Sequence, residues 1–178
     1  YPADINEIPR ASLDEVEAFI IDDLDYCISY LPSEYNSDRK LITTWAAKAL
    51  LAKIYLHKED WSNARGLSSE IINSGKFSLD PDYGQLFVSS DSPELIWSLD
   101  YDEDHKNKLG YYAFLESEGG IYEYAPTAEF INSINSNDLR ESTLYSTSYA
   151  DTIINKFSEP QTGNIDLPLF RYAEVLLI

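Results

Sequence analysis

The sequence predicts a mostly α-helical protein with one less regular portion that contains short strands. Apolar residues recur at helical spacing through the first 75 residues, many aromatics follow without a sustained period, and helical spacing returns at the carboxyl end. A chain of 178 residues suits one domain. We therefore expect one unit over 1–178, with a helical part at 11–75, an irregular part at 76–166 and the start of a further helix at 167–178.

The first strong element is the helix predicted in ASLDEVEAFIIDDLDYCISYLP. Ser12 and Glu15 are expected to form a capping box at its start, and Pro32 ends it. Its apolar residues step by three and four, which marks one core face. That face consists of Leu13, Val16, Ile20, Leu24, Cys27 and Leu31.

A pair of helices is predicted next, over 44–57 and 61–73. Asp60 is expected to cap the second helix, and Gly75 to end it. Alanines make one side of the first helix narrow, so a partner helix can approach closely. These are Ala46, Ala47, Ala49 and Ala52.

This pair matches a tetratricopeptide repeat at three positions and their spacing. Leu51-Ala52, Tyr55 and Ala64 stand at the Leu-Gly/Ala, Tyr and Ala positions, whereas the usual Phe and Pro positions are not matched. One helix pair cannot bury its apolar face alone. We therefore expect it to pack on the first helix and on others.

The remaining elements are shorter. In ELIWSLDY, Leu95, Trp97 and Leu99 alternate with Ile96 and Ser98, which predicts a strand with one covered face. Residues 101–125 show no period and predict a long structured loop. A short helix capped by Thr127 follows, and 142–157 predicts a hairpin or irregular strands.

The last segment, LPLFRYAEVLLI, predicts a helix that the chain does not finish. Leu169, Phe170, Ala173, Leu176 and Leu177 share one helix face. The basic residues and the Gly or Asn that usually end a helix are missing. This suggests a segment of a longer protein.

Charge and cysteine content narrow the function classes. The chain has 31 acidic and 13 basic residues, a formal net charge of −18. Nucleic acid is excluded as a partner because phosphate binding needs a basic surface, and anionic membranes are disfavoured for the same reason. The single cysteine, Cys27, excludes an internal disulfide bond and is predicted to be an inert core thiol.

Several stretches together resemble the SusD/RagB family, the surface lipoproteins with which Bacteroidota capture nutrients. They follow the family's order and spacing: PRASLDEVEAFIIDDLDYCISYLP, TTWAAKALLAKIYLHKEDWSNA, IINSGKFSL followed by YGQLF, PELIWSLDY, NDLR, INKF and DLPLFRYAEVLLI. In that family the last motif continues into further helices. The resemblance thus implies an internal segment, with the signal peptide and the lipid-bearing cysteine outside this chain.

The resemblance implies tetratricopeptide-like helix pairs with an irregular portion that holds the ligand. It implies an outer-membrane lipoprotein on the cell surface that binds an oligosaccharide, or a peptide in some members. The expected partner is a SusC-like TonB-dependent transporter, to which the ligand is delivered. Binding without chemistry is implied, so we expect no enzymatic activity, no cofactor and no metal.

Candidate ligand residues lie in HKNKLGYYAFLESEGGIYEY. Sugar recognition needs flat aromatic faces and a few planar polar groups. The segment supplies Tyr111, Tyr112, Tyr122 and Tyr124, with Asn107 and Glu123 nearby. In an alternating segment the neighbours Tyr111 and Tyr112 would face opposite ways, so only one of them would stack on a ligand. The alternative is that these tyrosines pack the loop on the helical body.

The other charged patterns are expected to be structural. Asp100, Asp102 and Asp104 occupy positions 1, 3 and 5 of an EF-hand loop, but its Gly and Glu positions are not matched. A solvated turn is expected there, with a looser calcium site as the alternative. The pairs Asp138–Arg140 and Arg171–Glu174 are expected to hold the structure together.

Two other functions compete with nutrient binding. A tetratricopeptide-type adaptor for a partner protein would need further repeats with a period near 34 residues, and the sequence shows one good pair. A glycan-cleaving enzyme would need two carboxylates about 5 to 9 Å apart across a cleft, and no feature singles out such a pair. Neither histidine, His57 or His105, belongs to a recognisable catalytic or metal-binding pattern.

Overall fold

The computed structural model describes residues 9–36, 38–157, 163 and 165–178. The portions of the predicted 1–178 unit that fall elsewhere lie outside these described residues. Helices make up most of the regular structure in the described ranges, with two small antiparallel sheets. The predicted mostly α-helical class, with a portion of short strands, is therefore confirmed. Across the same ranges, no helix has both the length and the hydrophobicity required to pass through a bilayer.

The first helix, α1 (Leu13–Tyr30), begins at the predicted capping box. The Glu15 amide donates to Ser12 Oγ, and the Glu15 carboxylate accepts from the Ser12 amide at 2.8 Å. Hydrogen bonding to Ser12 lowers the pKa of Glu15. The helix ends at Tyr30, and its C-cap Leu31 is extended directly before Pro32, as predicted.

The predicted core face of α1 is wrong over its amino-terminal half. Leu24 is buried and Cys27 is half-buried, but Leu13 remains 70% exposed and Val16 43% exposed. The helix packs on its neighbour through its carboxyl-terminal half. The apolar face of α1 is therefore longer than the region that packs on the neighbouring helix, and its amino-terminal residues stay exposed.

The helix pair α2 (Thr44–His57) and α3 (Trp61–Asn73) is confirmed within a residue of the predicted limits. Asp60 accepts from the Asn63 amide at 3.2 Å, and Gly75 adopts the left-handed conformation that ends a helix (φ 65°). The alanines of α2 are at most 3% exposed. Since they carry one methyl group each, α3 approaches closely and forms the centre of the helical part with α2.

We expect a Leu51→Ala substitution to lower the free energy of unfolding by about 3 kcal/mol. The Leu51 side chain is 1% exposed and packs with Leu24 and Ala47 between α1 and α2. Urea unfolding followed by circular dichroism measures the change. Leu13→Ala is the matched control and should change stability by less than about 0.5 kcal/mol. Equal effects of the two substitutions would contradict this description of the core.

The strand β1 (Leu95–Leu99) pairs antiparallel with β4 (Leu167–Arg171), which precedes the short helix α7 (Tyr172–Leu177). The predicted strand at 95–99 is confirmed, but its single covered face is wrong: Leu95 and Ile96 are both buried, because the strand packs on both sides. The predicted helix is wrong at Leu169 and Phe170, which lie in β4. Phe170 is opposite Trp97, and their rings stack at 5.9 Å, so pairing with a distant strand overrides the local helical spacing.

The predicted Arg171–Glu174 pair forms at the junction of β4 and α7. Arg171 Nε lies 3.5 Å from Glu174 Oε1, and its Nη1 lies 3.7 Å from Glu94 Oε1. The Glu94 side chain is only 6% exposed. Arg171 therefore joins α7 to the residue before β1.

The predicted short helix and hairpin are also confirmed. Helix α5 (Ala128–Ser133) begins with the Phe130 amide bonded to Thr127 Oγ1 at 3.2 Å. A single-turn helix, α6 (Glu141–Leu144), leads into the hairpin of β2 (Tyr145–Ser146) and β3 (Ile153–Ile154). Each hairpin strand has two residues, so the hairpin relies on the packing of Ile153, which is fully buried.

The predicted Asp138–Arg140 pair is a fork of two bonds. Arg140 Nε and Nη2 donate to the two Asp138 oxygens at 2.9 and 2.6 Å. These bonds lower the pKa of Asp138 to about 2. The guanidinium of Arg140 also lies 6.0 Å from the centre of the Tyr83 ring, so the pair links the start of α6 to the segment before β1.

The low pKa of Asp138 predicts a pH-dependent contribution to stability. A depressed folded-state pKa stabilises the protein above the unfolded value, near 4, and the effect disappears as the pH falls towards 2. Asp138→Asn should therefore be less stable than wild type at pH 6, and most of that difference should be gone near pH 2. Thermal unfolding at the two pH values measures this, and a difference that does not depend on pH would contradict it.

Candidate ligand-binding site

Two of the candidate tyrosines lie in a short helix that the sequence does not reveal. The sequence predicts a long structured loop over 101–125, but these residues contain α4 (Leu109–Ala113) and a 3-10 turn at Glu116–Glu118. Successive side chains on a helix are about 100° apart. The expectation that Tyr111 and Tyr112 face opposite ways is therefore wrong, and their rings are in edge contact with centroids 5.7 Å apart.

A third tyrosine joins this pair from the other end of the segment. The Tyr124 ring lies 5.4 Å from the Tyr112 ring at an interplanar angle of 42°. Tyr111 is 38% exposed and Tyr124 is 49% exposed, with the half-buried Tyr112 between them. We call these three residues the tyrosine cluster. The accessible rings of Tyr111 and Tyr124 both contact the ring of Tyr112.

Backbone hydrogen bonds fix the two arms of the tyrosine cluster to each other. The Ile121 amide donates to the Tyr111 carbonyl at 2.9 Å. The Glu123 and Tyr124 amides both donate to the Tyr112 carbonyl, at 2.8 and 2.9 Å. Both carbonyls lie near the end of α4, where the helix itself has no donors for them. The returning segment therefore satisfies the helix end and places Tyr124 beside Tyr112.

Gly120 permits this close return of the chain. A Cβ at this position would lie 2.2 Å from the Phe114 carbonyl oxygen and 2.7 Å from the Tyr111 carbonyl oxygen. Both atoms belong to the backbone, so neither can rotate away as a side chain could. A residue without a side chain is required here.

Tyr122 lies apart from the tyrosine cluster and packs inward. Its ring contacts the buried group of Ala113, Phe114, Leu115 and Ile153. Its hydroxyl donates to the Thr152 carbonyl at 2.8 Å. The residue also has a positive φ of 51°, which is uncommon for a bulky side chain. This arrangement favours a packing role for Tyr122, in which it holds the segment on the hairpin.

We expect Tyr122→Phe to lower the free energy of unfolding by about 1 kcal/mol and to leave any ligand binding unchanged. The substitution removes the bond to the Thr152 carbonyl and keeps the ring that packs on Ile153. Chemical denaturation measures the first effect and calorimetric titration the second. A loss of ligand affinity with unchanged stability would contradict the packing role.

Asn107 is buried, with 7% exposure, and both the nitrogen and the oxygen of its amide group are hydrogen-bonded. Its Nδ2 donates to the Ile165 carbonyl and its Oδ1 accepts from the Leu109 amide, both at 3.0 Å. Its backbone amide donates to the Gly163 carbonyl at 2.8 Å. Asn107 thus ties the start of α4 to the segment before β4, and it positions the tyrosines instead of facing solvent beside them.

Polar side chains flank the tyrosine cluster at the surface. Lys108 directly precedes α4, and Glu123 directly precedes Tyr124 in the chain. Lys108 and Glu123 are both exposed. The site therefore combines accessible aromatic rings with a nearby cation and carboxylate, groups that can bond to hydroxyls.

The acidic turn at 100–104 does not converge on a common centre. Asp100 bonds to Lys40 Nζ at 2.6 Å, and Asp102 accepts from the amides of Asp104 and His105. The His105 amide bond is the main cause of a lowered pKa for Asp102. Among the described residues, no group of three metal-binding side chains forms.

The sequence motifs give no sign of a cavity that lies away from the tyrosine cluster. A cleft of about 200 Å³ lies beside β1, and its lining includes Lys40, Phe87, Ser98 and Asp166. These residues are far apart in the sequence and belong to no motif. The only local sign is a serine in an otherwise apolar strand.

Comparisons with known proteins confirm the resemblance to SusD-like proteins. No family model matches the chain. The chain is 31% identical over 109 residues to the SusD-like protein P25 of Formosa agariphila, a match that covers 60% of this chain and 21% of that protein. The match thus spans about a fifth of the length of this relative.

Solved structures show the same fold. A SusD-like carbohydrate-binding protein of Bacteroides fragilis aligns with a TM-score of 0.78 at 18% identity, over 97% of this chain and 46% of that one. Surface glycan-binding protein A of Bacteroides thetaiotaomicron, in complex with laminarihexaose, aligns with a TM-score of 0.69 at 19% identity, over 92% and 48%. The SusD-like fold predicted from the sequence is therefore confirmed.

Proposed function

We propose that this chain is the ligand-holding part of a cell-surface protein that binds an oligosaccharide and delivers it to a SusC-like TonB-dependent outer-membrane transporter. Its similarity to SusD-like proteins supports this, since related structures carry the names of carbohydrate-binding and surface glycan-binding proteins. In this proposal the protein is held on the outer membrane by a lipid anchor outside this sequence. It binds its ligand without catalysing a reaction.

The observation that carries the proposal is the tyrosine cluster. Tyr111 and Tyr124 offer two exposed rings braced on Tyr112. The C–H face of a pyranose ring packs on such aromatic faces, and hydroxyl groups around its edge bond to polar neighbours. Two rings at different inclinations suit consecutive sugars of a chain better than a single small molecule.

The three predicted parts of the chain have separate roles in this proposed function. Residues 11–75 form the helical scaffold, and 76–166 carry the ligand site. Residues 167–178 supply β4 and α7, which pack the irregular part on the scaffold through Phe170 and Val175. The site is thus placed on short elements that a larger helical body holds in position.

A glycan array probed with the 178-residue chain tests the proposal. We expect binding to at least one oligosaccharide, and loss of that binding in a Tyr111→Ala/Tyr124→Ala double variant. Tyr26→Ala/Tyr30→Ala is the matched control, because these two residues form an exposed ring pair on α1 with centroids 4.3 Å apart. The control variant should bind as wild type does.

Two results would count against the proposal. Binding that survives in the double variant would remove the tyrosine cluster from the site. No binding to any glycan would refute an oligosaccharide ligand for this chain and would favour the peptide-binding or adaptor alternatives, which a peptide library distinguishes.

A further inference from the structure

Helix α1 carries a second row of large side chains, on the side that faces away from α2. Phe19, Tyr26 and Tyr30 are 67%, 65% and 71% exposed. Their spacing of seven and four residues places them within about 40° of one another around the helix, along roughly 16 Å of its length. Leu24, through which α1 packs on α2, lies about 140° away. We call Phe19, Tyr26 and Tyr30 the aromatic row.

The aromatic row contributes little to the packing of the described residues. Tyr26 and Tyr30 contact each other, with ring centroids 4.3 Å apart, but none of the three residues belongs to a core cluster in the described ranges. Phe and Tyr are also weaker helix formers than Ala, Glu or Lys, so formation of α1 does not require them. Contiguous exposed apolar side chains of this kind are typical of a surface that contacts another molecule.

A carboxylate lies in the middle of the aromatic row. Asp23 stands four residues after Phe19 and three before Tyr26, so it lies on the same helix face, and Asp22 borders that face. Both are exposed, and neither carboxylate makes a hydrogen bond or ion pair with another residue in the described part of the chain. The whole of α1 contains six acidic residues and no basic one. The outer face of α1 is therefore negatively charged and has no counterion on its own helix.

Charge and aromatic content together indicate what this surface can bind. A cation can pair with a carboxylate and also lie over an aromatic ring, and the planar guanidinium of arginine suits both contacts. A second copy of this chain would bring a net charge of −18 and an identical acidic face, so like charges would oppose its docking. The same charge disfavours nucleic acid and anionic membranes.

We propose that the aromatic row is a docking surface for a segment of another protein that carries an arginine between apolar side chains. The arginine pairs with Asp23, and the apolar side chains on either side of it pack on Phe19 and on the Tyr26–Tyr30 pair. Aromatic residues with a charged group at their centre are the arrangement in which a few contacts supply most of the binding energy. This surface is separate from the tyrosine cluster, and the inference does not rest on oligosaccharide binding.

A phage-displayed library of random 12-residue peptides, selected on the full 178-residue chain, tests this inference. Clones are first depleted on a Phe19→Ala/Tyr26→Ala/Tyr30→Ala variant, which should stay folded because the three side chains are mostly exposed. We expect the remaining clones to converge on sequences with an arginine between aromatic or aliphatic residues. A synthetic peptide of the most frequent sequence should bind the wild-type chain, and its dissociation constant should rise severalfold between about 50 and 500 mM NaCl.

Matched variants locate the charge that the peptide recognises. Asp23→Asn should weaken binding of the synthetic peptide about fivefold. Asp25→Asn makes the same change in charge on the same helix, but about 120° from the aromatic row, and should leave the affinity within about twofold. Trp61→Ala removes a 61% exposed ring from α3 and should have no effect. The Tyr26→Ala/Tyr30→Ala variant should still bind the array glycan, which separates this result from the proposed function.

Four results would overturn the inference. The selected peptides could lack arginine, no clone could prefer the wild-type chain to the triple variant, or Asp23→Asn and Asp25→Asn could weaken the peptide equally. Self-association of the wild-type chain in sedimentation velocity, lost in the triple variant, would assign the aromatic row to a second copy of the chain instead.

Discussion

A Gly120→Ala variant is expected to lose about 3 kcal/mol of stability and all detectable glycan binding. The added methyl group would lie 2.2 Å from the Phe114 carbonyl oxygen. The returning segment must then move away from α4 and lose its amide bonds to the Tyr111 and Tyr112 carbonyls. Tyr124 would leave the tyrosine cluster with it.

Gly66→Ala provides the matched control for this prediction. Gly66 lies inside α3, and apart from its chain neighbours and the nearby backbone of α3 no atom comes within 4 Å of a Cβ built there. Alanine has the higher helix propensity, so this variant should gain about 0.5–1 kcal/mol and bind as wild type does. Chemical denaturation and calorimetric titration measure both variants. Equal stability changes in the two would show that the close approach at Gly120 has no energetic consequence.

The second large effect is expected from the exposed rings themselves. Tyr111→Ala and Tyr124→Ala should each weaken oligosaccharide binding about 10- to 30-fold, the loss of roughly 1.5–2 kcal/mol that an aromatic anchor contributes. Stability should change little, because both rings are more than a third exposed. Calorimetric titration with the tightest-binding array glycan gives the values.

Tyr→Phe substitutions at the same two positions identify which part of the side chain matters. If the ring stacks on sugar, Tyr111→Phe and Tyr124→Phe should keep affinity within about threefold, because phenylalanine preserves the aromatic face. Losses as large as those of the alanine variants would assign the effect to the hydroxyl groups and contradict stacking.

Local signals in the sequence predict the helical part of the fold well. The predicted caps at Ser12, Asp60 and Thr127 all form between residues three apart. Such contacts depend only on neighbouring residues, so helix limits follow directly from them. The narrow alanine face of α2 likewise leads directly to its close packing with α3.

Long-range contacts explain where the sequence misleads. Leu169 and Phe170 have helical spacing, but they lie in β4 because β1, some 70 residues earlier, offers a strand edge and the Trp97 ring. Leu13 belongs to an apolar stripe, but the contact between α1 and α2 does not reach it. Neither the strand at Leu169 and Phe170 nor the exposure of Leu13 can be predicted from the residues next to them in the sequence.

The candidate site was predictable in its residue types but not in its arrangement. The density of tyrosines marks the segment, but α4 has five residues and is too short to produce a helical period. The inward turn of Tyr122 depends on the Thr152 carbonyl, and the burial of Asn107 depends on Ile165 and Gly163. Only the folded chain brings these partners together.

The most direct test of the proposed function is a crystal structure of the chain with the tightest-binding glycan of the array. We predict that a pyranose ring lies parallel to the face of Tyr111 or Tyr124, with carbon atoms within about 4 Å of the aromatic ring. A glycan bound elsewhere on the chain, with both tyrosine rings open to solvent, would contradict the assignment of the tyrosine cluster as the ligand site.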